Sequence, residues 1–206
     1  MYIDQEKMQR IINFARAHHA DEGIHRWEHI ENVVGYAKHL SKYEEVDETL
    51  VTIAAYLHDI GHKYVEEPTH HFKSAQISHE LLLSMNFSEE YADAVAYVIM
   101  SHRHPVAAVS KDLICYVISD ADKLDMIGPD LIINAVYNVG RFEGRTYEEA
   151  LEFAKHVNDS AFQVLFTETA KRIAKPENEL AQEIYRGLSR KRNFMLGVKN
   201  GEQNVG

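Results

Sequence analysis

The sequence predicts an all-helical, single-domain protein, and three observations carry that reading. Apolar residues recur at three- and four-residue spacing through the long segments, the period of a helix with one buried face. No alternation of apolar and polar residues runs longer than four residues, so no half-buried strand is indicated. Residues that start helices, Asp4, Asp47, Ser88 and Thr146, stand immediately before these stripes.

Asp4 caps a first helix running to about residue 19, with Met8, Ile11, Ile12, Phe14 and Ala15 facing inward. Residues 20–24, with Gly23, read as a turn. A second helix, 26–43, repeats Trp27, Ile30, Val33, Val34, Ala37 and Leu40 at helical spacing, with His29 on the inward edge of the stripe. Asp47 caps the third, whose apolar run over 50–57 ends in His58-Asp59. Gly61 is expected to break that helix, and His62 shares the face of His58 if the helix holds that far. Residues 63–69, with Pro68 and two glutamates, read as a loop beside this pair.

A fourth helix, 70–85, turns Ala75, Ile77, Leu81 and Leu82 inward. Ser88 followed by Glu89 and Glu90 starts a fifth, which reaches about residue 102 before His104-Pro105 ends it. Ser110 opens a sixth, leading through Ile114, Val117 and Ile118 into Ser-Asp-Ala-Asp-Lys-Leu-Asp at 119–125. Beyond Gly128-Pro129, a short helix at 131–139 and a polar loop at 140–145 precede a capping box of Thr146 with Glu149, whose helix is expected to end near 157. Two more helices, 161–174 and 176–195, complete a domain spanning 1–196, Pro176 suiting a first helical turn. Residues 197–206, polar and glycine-rich, read as a flexible tail.

A chain of 206 residues, 45% of them hydrophobic, is long enough for one good core and short for two. A formal net charge of −10 excludes a broad electrostatic embrace of a nucleic-acid polymer, yet a small phosphorylated ligand needs only a few local cations. The single cysteine, Cys115, lies in an apolar run and reads as a buried thiol in a reducing compartment. Residues 1–10 have no apolar core and no stretch reaches the length of a membrane span, so a cytoplasmic protein with no membrane partner is expected. Its oligomeric state is open, a homo-oligomer included.

Several helices deliver a metal-capable group from an apolar setting: His29, His58-Asp59, His70 or His71 with His102, and Asp122. Burying an imidazole beside a carboxylate is costly unless something satisfies both, and a metal ion does. His29, His58, Asp59 and Asp122 make a mixed nitrogen and oxygen set suited to manganese, iron, cobalt, nickel or zinc. Water on such an ion ionises near neutral pH, and the ion neutralises a phosphoryl oxygen. Lys63, Lys73, Arg103 and Lys123 neighbour these positions, with Arg26 one turn before His29, as candidates for holding phosphate or offsetting transition-state charge. Asp125, on the face of Asp122, is a candidate for orienting a ligand or binding a ribose. In the blander reading these histidines are hydrogen-bonded at helix ends, the cations are solvated, and Trp27, Tyr56 and Tyr97 are core or pocket wall.

The pattern resembles the HD-domain superfamily of metal-dependent phosphohydrolases. The carrying residues are His29 with Val33 four residues on, an apolar helix ending in His58-Asp59, and Ala121-Asp122-Lys123-Leu124-Asp125 far downstream. The resemblance covers about 27–128, and His29, His58, Asp59 and Asp122 match the family's four ligand positions. Asp122 is preferred to Asp120 because the family's ligand aspartate follows a small residue, here Ala121. Residues 162–192 resemble the C-terminal helices of stand-alone bacterial and archaeal HD hydrolases.

The resemblance implies hydrolysis of a phosphate ester or anhydride of a small molecule, a nucleotide first among them. One or two divalent ions, magnesium included, would serve, with Asp59, His62, Lys63 and Lys123 as catalytic groups. His70-His71-Phe72-Lys73-Ser74-Ala75 and the segment ending at His102 are similar to the places where histidine-rich HD proteins hold a second metal, which brings in His62, His70 and His102. His70 matches better than His71 because of the Ser74-Ala75 that follows. His62 stands where HD nucleoside-monophosphate phosphatases carry glutamate, and differs from the acidic pair of guanosine-tetraphosphate hydrolases. No Gly-Tyr-Pro follows His102, unlike the cyclic-dinucleotide class. The alternatives are an HD-type mixed-valence di-iron oxygenase and a non-catalytic, metal-dependent nucleotide-binding module.

Overall fold

A computed structural model describes residues 3–19, 26–65, 68–139 and 144–199. The expected turn at 20–24, most of the 140–145 loop, part of the 63–69 loop and most of the 197–206 tail lie outside these residues. The described elements are helices: α1 (Gln5–His18), α2 (Trp27–Tyr43), α3 (Glu48–Leu57), a 3-10 turn (Ile60–Lys63), α4 (His70–Ser84), α5 (Glu89–Met100), α6 (His104–Ser110), α7 (Leu113–Asp125), α8 (Pro129–Asn134) running into one π turn (Ala135–Val139), α9 (Tyr147–Gln163) and α10 (Glu168–Lys199). The fold is all-α.

The starts are where the chemistry of orphan amides puts them. Asp4 accepts from the Lys7 amide at 2.7 Å, Asp47 from Leu50 at 3.0 Å and Ser88 from Tyr91 at 3.2 Å, while Thr146 and Glu149 close a reciprocal capping box. Helix α3 is apolar on every side, with Val51, Ile53, Ala54, Ala55 and Leu57 fully buried, so it belongs at the centre of the protein. Helices α1, α2, α5 and α7 pack around it. That placement carries His58 and Asp59, at its C-terminal end, into the interior. Among the described residues no helix is long and apolar enough to cross a membrane.

Three boundaries differ from the sequence expectation. Pro105 opens a short helix instead of ending structure, because proline suits a first helical turn; Ser110 then closes α6, Lys111 turns in the left-handed region at φ 58°, and α7 begins at Leu113. Helix α9 runs past 157 to Gln163. Finally, 168–199 is one helix with Pro176 inside it, reaching beyond residue 197. The proline forfeits one ladder hydrogen bond, and burial of Ala170, Ala174 and Ala181 on the same helix outweighs that loss.

Gly61 serves a different need from the break expected of it. Helix α3 ends at Leu57, and Gly61 lies inside the 3-10 turn, its amide donating to Ser74 Oγ at 2.9 Å. A Cβ on Gly61 would stand 2.2 Å from the His70 carbonyl oxygen and 2.8 Å from both the amide nitrogen and Oγ of Ser74. Only glycine admits α4 this close. Gly61→Ala is expected to cost about 2–3 kcal/mol by overpacking, read as a fall of roughly 5–10 °C in a thermal melt, and to displace His70.

Candidate metal centre

The Asp59 carboxylate is the hub. Its Oδ2 lies 3.4 Å from His58 Nε2 and 3.7 Å from His29 Nε2, and its Oδ1 lies 3.5 Å from His70 Nε2, 3.7 Å from His62 Nε2 and 3.8 Å from His102 Nε2. Asp122 Oδ1 approaches the first set, 3.4 Å from His29 Nε2 and 3.9 Å from His58 Nε2. Helices α2, α3 and α7, which pack on one another, supply His29, His58-Asp59 and Asp122; α4 and the turn after α5 supply His70 and His102. The 3-10 turn positions His62: at three residues per turn, Asp59 and His62 fall on one face.

The tautomers point their lone pairs inward. His58 Nδ1–H donates to the Ala55 carbonyl at 2.8 Å and His102 Nδ1–H to Ile99 at 2.7 Å, so each leaves Nε2 as the acceptor. His58 Nε2 is fully buried and makes no hydrogen bond. His29 Nδ1 donates to Asp125 Oδ2 at 2.7 Å, while Asp125 Oδ1 accepts from Asn32 Nδ2 at 2.7 Å. Burial alone would lower the His29 pKa, but hydrogen bonds to Asp122 and Asp125, with the charges of Asp122 and Asp59, lift it to about 10. Asp122, which burial would raise, is held well below the usual range by Lys123 and His29. The pocket therefore favours positive charge between Asp59 and Asp122. On the other side, burial pushes His70 down to about 3 and His102 well below its usual value, so both are neutral donors.

These donors fit a divalent ion. His29, His58 and Asp59 bring one ligand atom each within 4.8 Å of one another, and so do Asp59, His62 and His70. His70, not His71, faces Asp59; its Nε2 is 2.9 Å from His102 Nε2 and its ring stacks on His62 at 3.9 Å. The neighbouring His71 is also buried, its ring centre 6.2 Å from that of His102.

The expected phosphate-binding cations divide. Lys123, whose ammonium sits on Asp122 Oδ2, and Arg103 line a cleft of about 300 Å³ together with Asp59, His62, His70, His102 and Asp122; His104, Pro105 and Met126 form the remaining wall. Lys63 donates instead to the Ala17 carbonyl at 2.8 Å, Lys73 to Gln76 at 3.1 Å and Arg26 to Asn134 at 2.6 Å. None of the three lines the cleft. Asp120 faces elsewhere, accepting from the amides of Phe166 and Thr167, each at 2.8 Å, and from Thr167 Oγ1 at 2.7 Å. It ties α7 to the start of α10.

Asn32 is the partner that sequence reading passed over, although its place three residues after His29 on a helix was a usable signal. Asp125→Ala should weaken metal binding 10- to 100-fold, the usual range for the partner that orients a ligating histidine, and Asn32→Ala should add little to it, because both act through one His29 ring. Manganese titration of the two single variants and the double variant tests this.

Residues 26–127 match the family model described as the HD domain. YueE of Bacillus subtilis (strain 168), provisionally named a phosphohydrolase, is 29% identical over 105 residues, 44% of this chain and 60% of that protein. The chain therefore matches less than two thirds of that relative's length. Among solved structures, Bacillus subtilis YpgQ in complex with ADP superposes with a TM-score of 0.71 at 22% identity, covering 90% of this chain and 95% of that one. An HD-superfamily hydrolase from Bacillus thuringiensis gives 0.69 at 21% identity, covering 92% and 98%. At these identities the superpositions establish the fold.

Proposed function

Through residues 26–127 this chain belongs to the HD superfamily, and from that premise we propose that it is a metal-dependent phosphohydrolase acting on a small phosphorylated molecule, a nucleotide first among them. The observation that carries the reading is the inward-facing His58 Nε2, stripped of any hydrogen bond between the buried carboxylates of Asp59 and Asp122. A lone pair there needs a cation. The names and ligand of similar proteins support the substrate class: a phosphohydrolase in YueE and bound ADP in YpgQ.

His29, His58, Asp59 and Asp122 would hold the ion, which supplies a water ionised near neutral pH and offsets charge on a phosphoryl oxygen. Asp125 and Asn32 fix the ring of His29 so that Nε2 faces Asp59 and Asp122. Arg103 and Lys123, in the cleft wall, meet the phosphate oxygens, where planar guanidinium and ammonium donors bind anions best. His62, its side chain 13% exposed and so more open than Asp59, His70 and His102, exchanges a proton with a group in the cleft. The buried free thiol of Cys115 suits a cytoplasmic setting.

A two-ion centre is favoured by one geometric fact: the two oxygens of Asp59 face different histidine sets. The deciding experiment is elemental analysis of the purified protein beside a phosphate-release screen of nucleotides and sugar phosphates with manganese, cobalt, nickel and magnesium. Metal-dependent release of phosphate or pyrophosphate, lost with a chelator and restored by the ion, is the expected result. Two irons per chain with oxygen consumption and no release would make the protein an oxygenase. Nucleotide binding without turnover would make it a binding module.

A further inference from the structure

The cleft has a wall that the hydrolytic chemistry leaves unused. His104, the first residue of α6, lines it together with Pro105 and Met126. The His104 ring lies almost parallel to Phe166, with centroids 4.9 Å apart and planes 18° apart, and Phe166 lies on Tyr116 at 4.2 Å and 6°. The Phe166 amide is anchored to Asp120 at 2.8 Å. Tyr116 and Asp120 stand on α7, the helix that also carries Asp122 and Lys123. The aromatic stack and the charged end of the cleft are therefore fixed to one rigid element.

A flat ring braced by two more rings, beside a proline and a polarisable thioether, offers an apolar planar surface where the neighbouring wall offers charge. We infer that His104 is the platform on which the base of a nucleotide lies, with Pro105 and Met126 completing the contact while Arg103 and Lys123 take the phosphates. This rests on the nucleotide phosphohydrolase reading. A volume of about 300 Å³ reaches the lower end of the range for small-molecule sites. Arg103 and His104 are adjacent, so a single short segment spans the junction between phosphate and base. Stacking reads the presence of a planar base and not its edge, so both purine and pyrimidine nucleotides are accepted, whereas base-free phosphates lose the contact.

Calorimetric titration of ADP and of pyrophosphate into the metal-supplemented full chain tests the assignment. His104→Ala should weaken ADP about 10-fold or more, the effect of removing an aromatic stacking partner, and leave pyrophosphate within about twofold. His104→Phe, which keeps a planar ring, should hold ADP within about threefold. Unchanged ADP affinity in His104→Ala overturns the inference. An equal loss for pyrophosphate also overturns it and assigns His104 to the phosphates. Wild-type protein that takes up neither ligand removes the nucleotide reading itself, and that failure is visible before any variant is compared.

Discussion

Asp59→Ala is expected to abolish metal-dependent turnover, by at least about a thousandfold, while leaving the helical fold in place. A thousandfold corresponds to about 4 kcal/mol of lost transition-state stabilisation, within reach of losing an ion that both activates the nucleophile and offsets phosphoryl charge. Of the seven side chains around the centre, Asp59 alone approaches both histidine sets, so its removal weakens every ligand arrangement at once. The fold should survive because α3 is held by fully buried Val51, Ile53, Ala54, Ala55 and Leu57, none of which depends on the carboxylate. Circular dichroism then shows native helicity while metal titration shows lost uptake. Undiminished turnover in a metal-supplemented assay would sink the hydrolase assignment.

Much of the centre was legible because the helices that carry it are cut to simple rules. An apolar run with a capping aspartate is a buried helix, and whatever polar pair ends it must be satisfied in the interior; that logic reaches His58 and Asp59 from the sequence. Asp122 and Asp120 were separable only through the resemblance, and the structure places them apart, one facing His29 and the other capping the start of α10. The fates of Lys63, Lys73 and Arg26 were not legible. A lysine next to a site residue in sequence points about a third of a turn away in a 3-10 helix, and Lys63 accordingly finds the Ala17 carbonyl. His104 was hidden for another reason, since its role depends on Phe166, more than sixty residues distant, and no periodicity links the two. The continuous α10 shows tertiary burial overriding a local signal, Pro176, that marked a boundary on propensity alone.

The second large effect separates a two-ion centre from a one-ion centre. His70→Ala should reduce bound metal from two ions per chain to one and slow turnover roughly 100-fold, the kinetic equivalent of about 2.7 kcal/mol and a modest share of what a metal contributes to charge stabilisation. The expectation follows from the geometry on the Oδ1 side of Asp59, where His62 and His70 approach within 3.7 Å and His102 within 3.8 Å, with burial holding His70 and His102 as neutral donors. His29, His58 and Asp122 lie on the Oδ2 side and should keep their ion. His102→Ala provides the independent check, because it removes a donor from a different helix end and should give the same stoichiometry. Elemental analysis reads the count directly. One ion in the wild type, unchanged in both variants, would leave these histidines to hydrogen bonding and proton transfer around a mononuclear site. Loss of all metal in His70→Ala would show that the two sides of Asp59 bind as one unit, since neither ion then holds without the other.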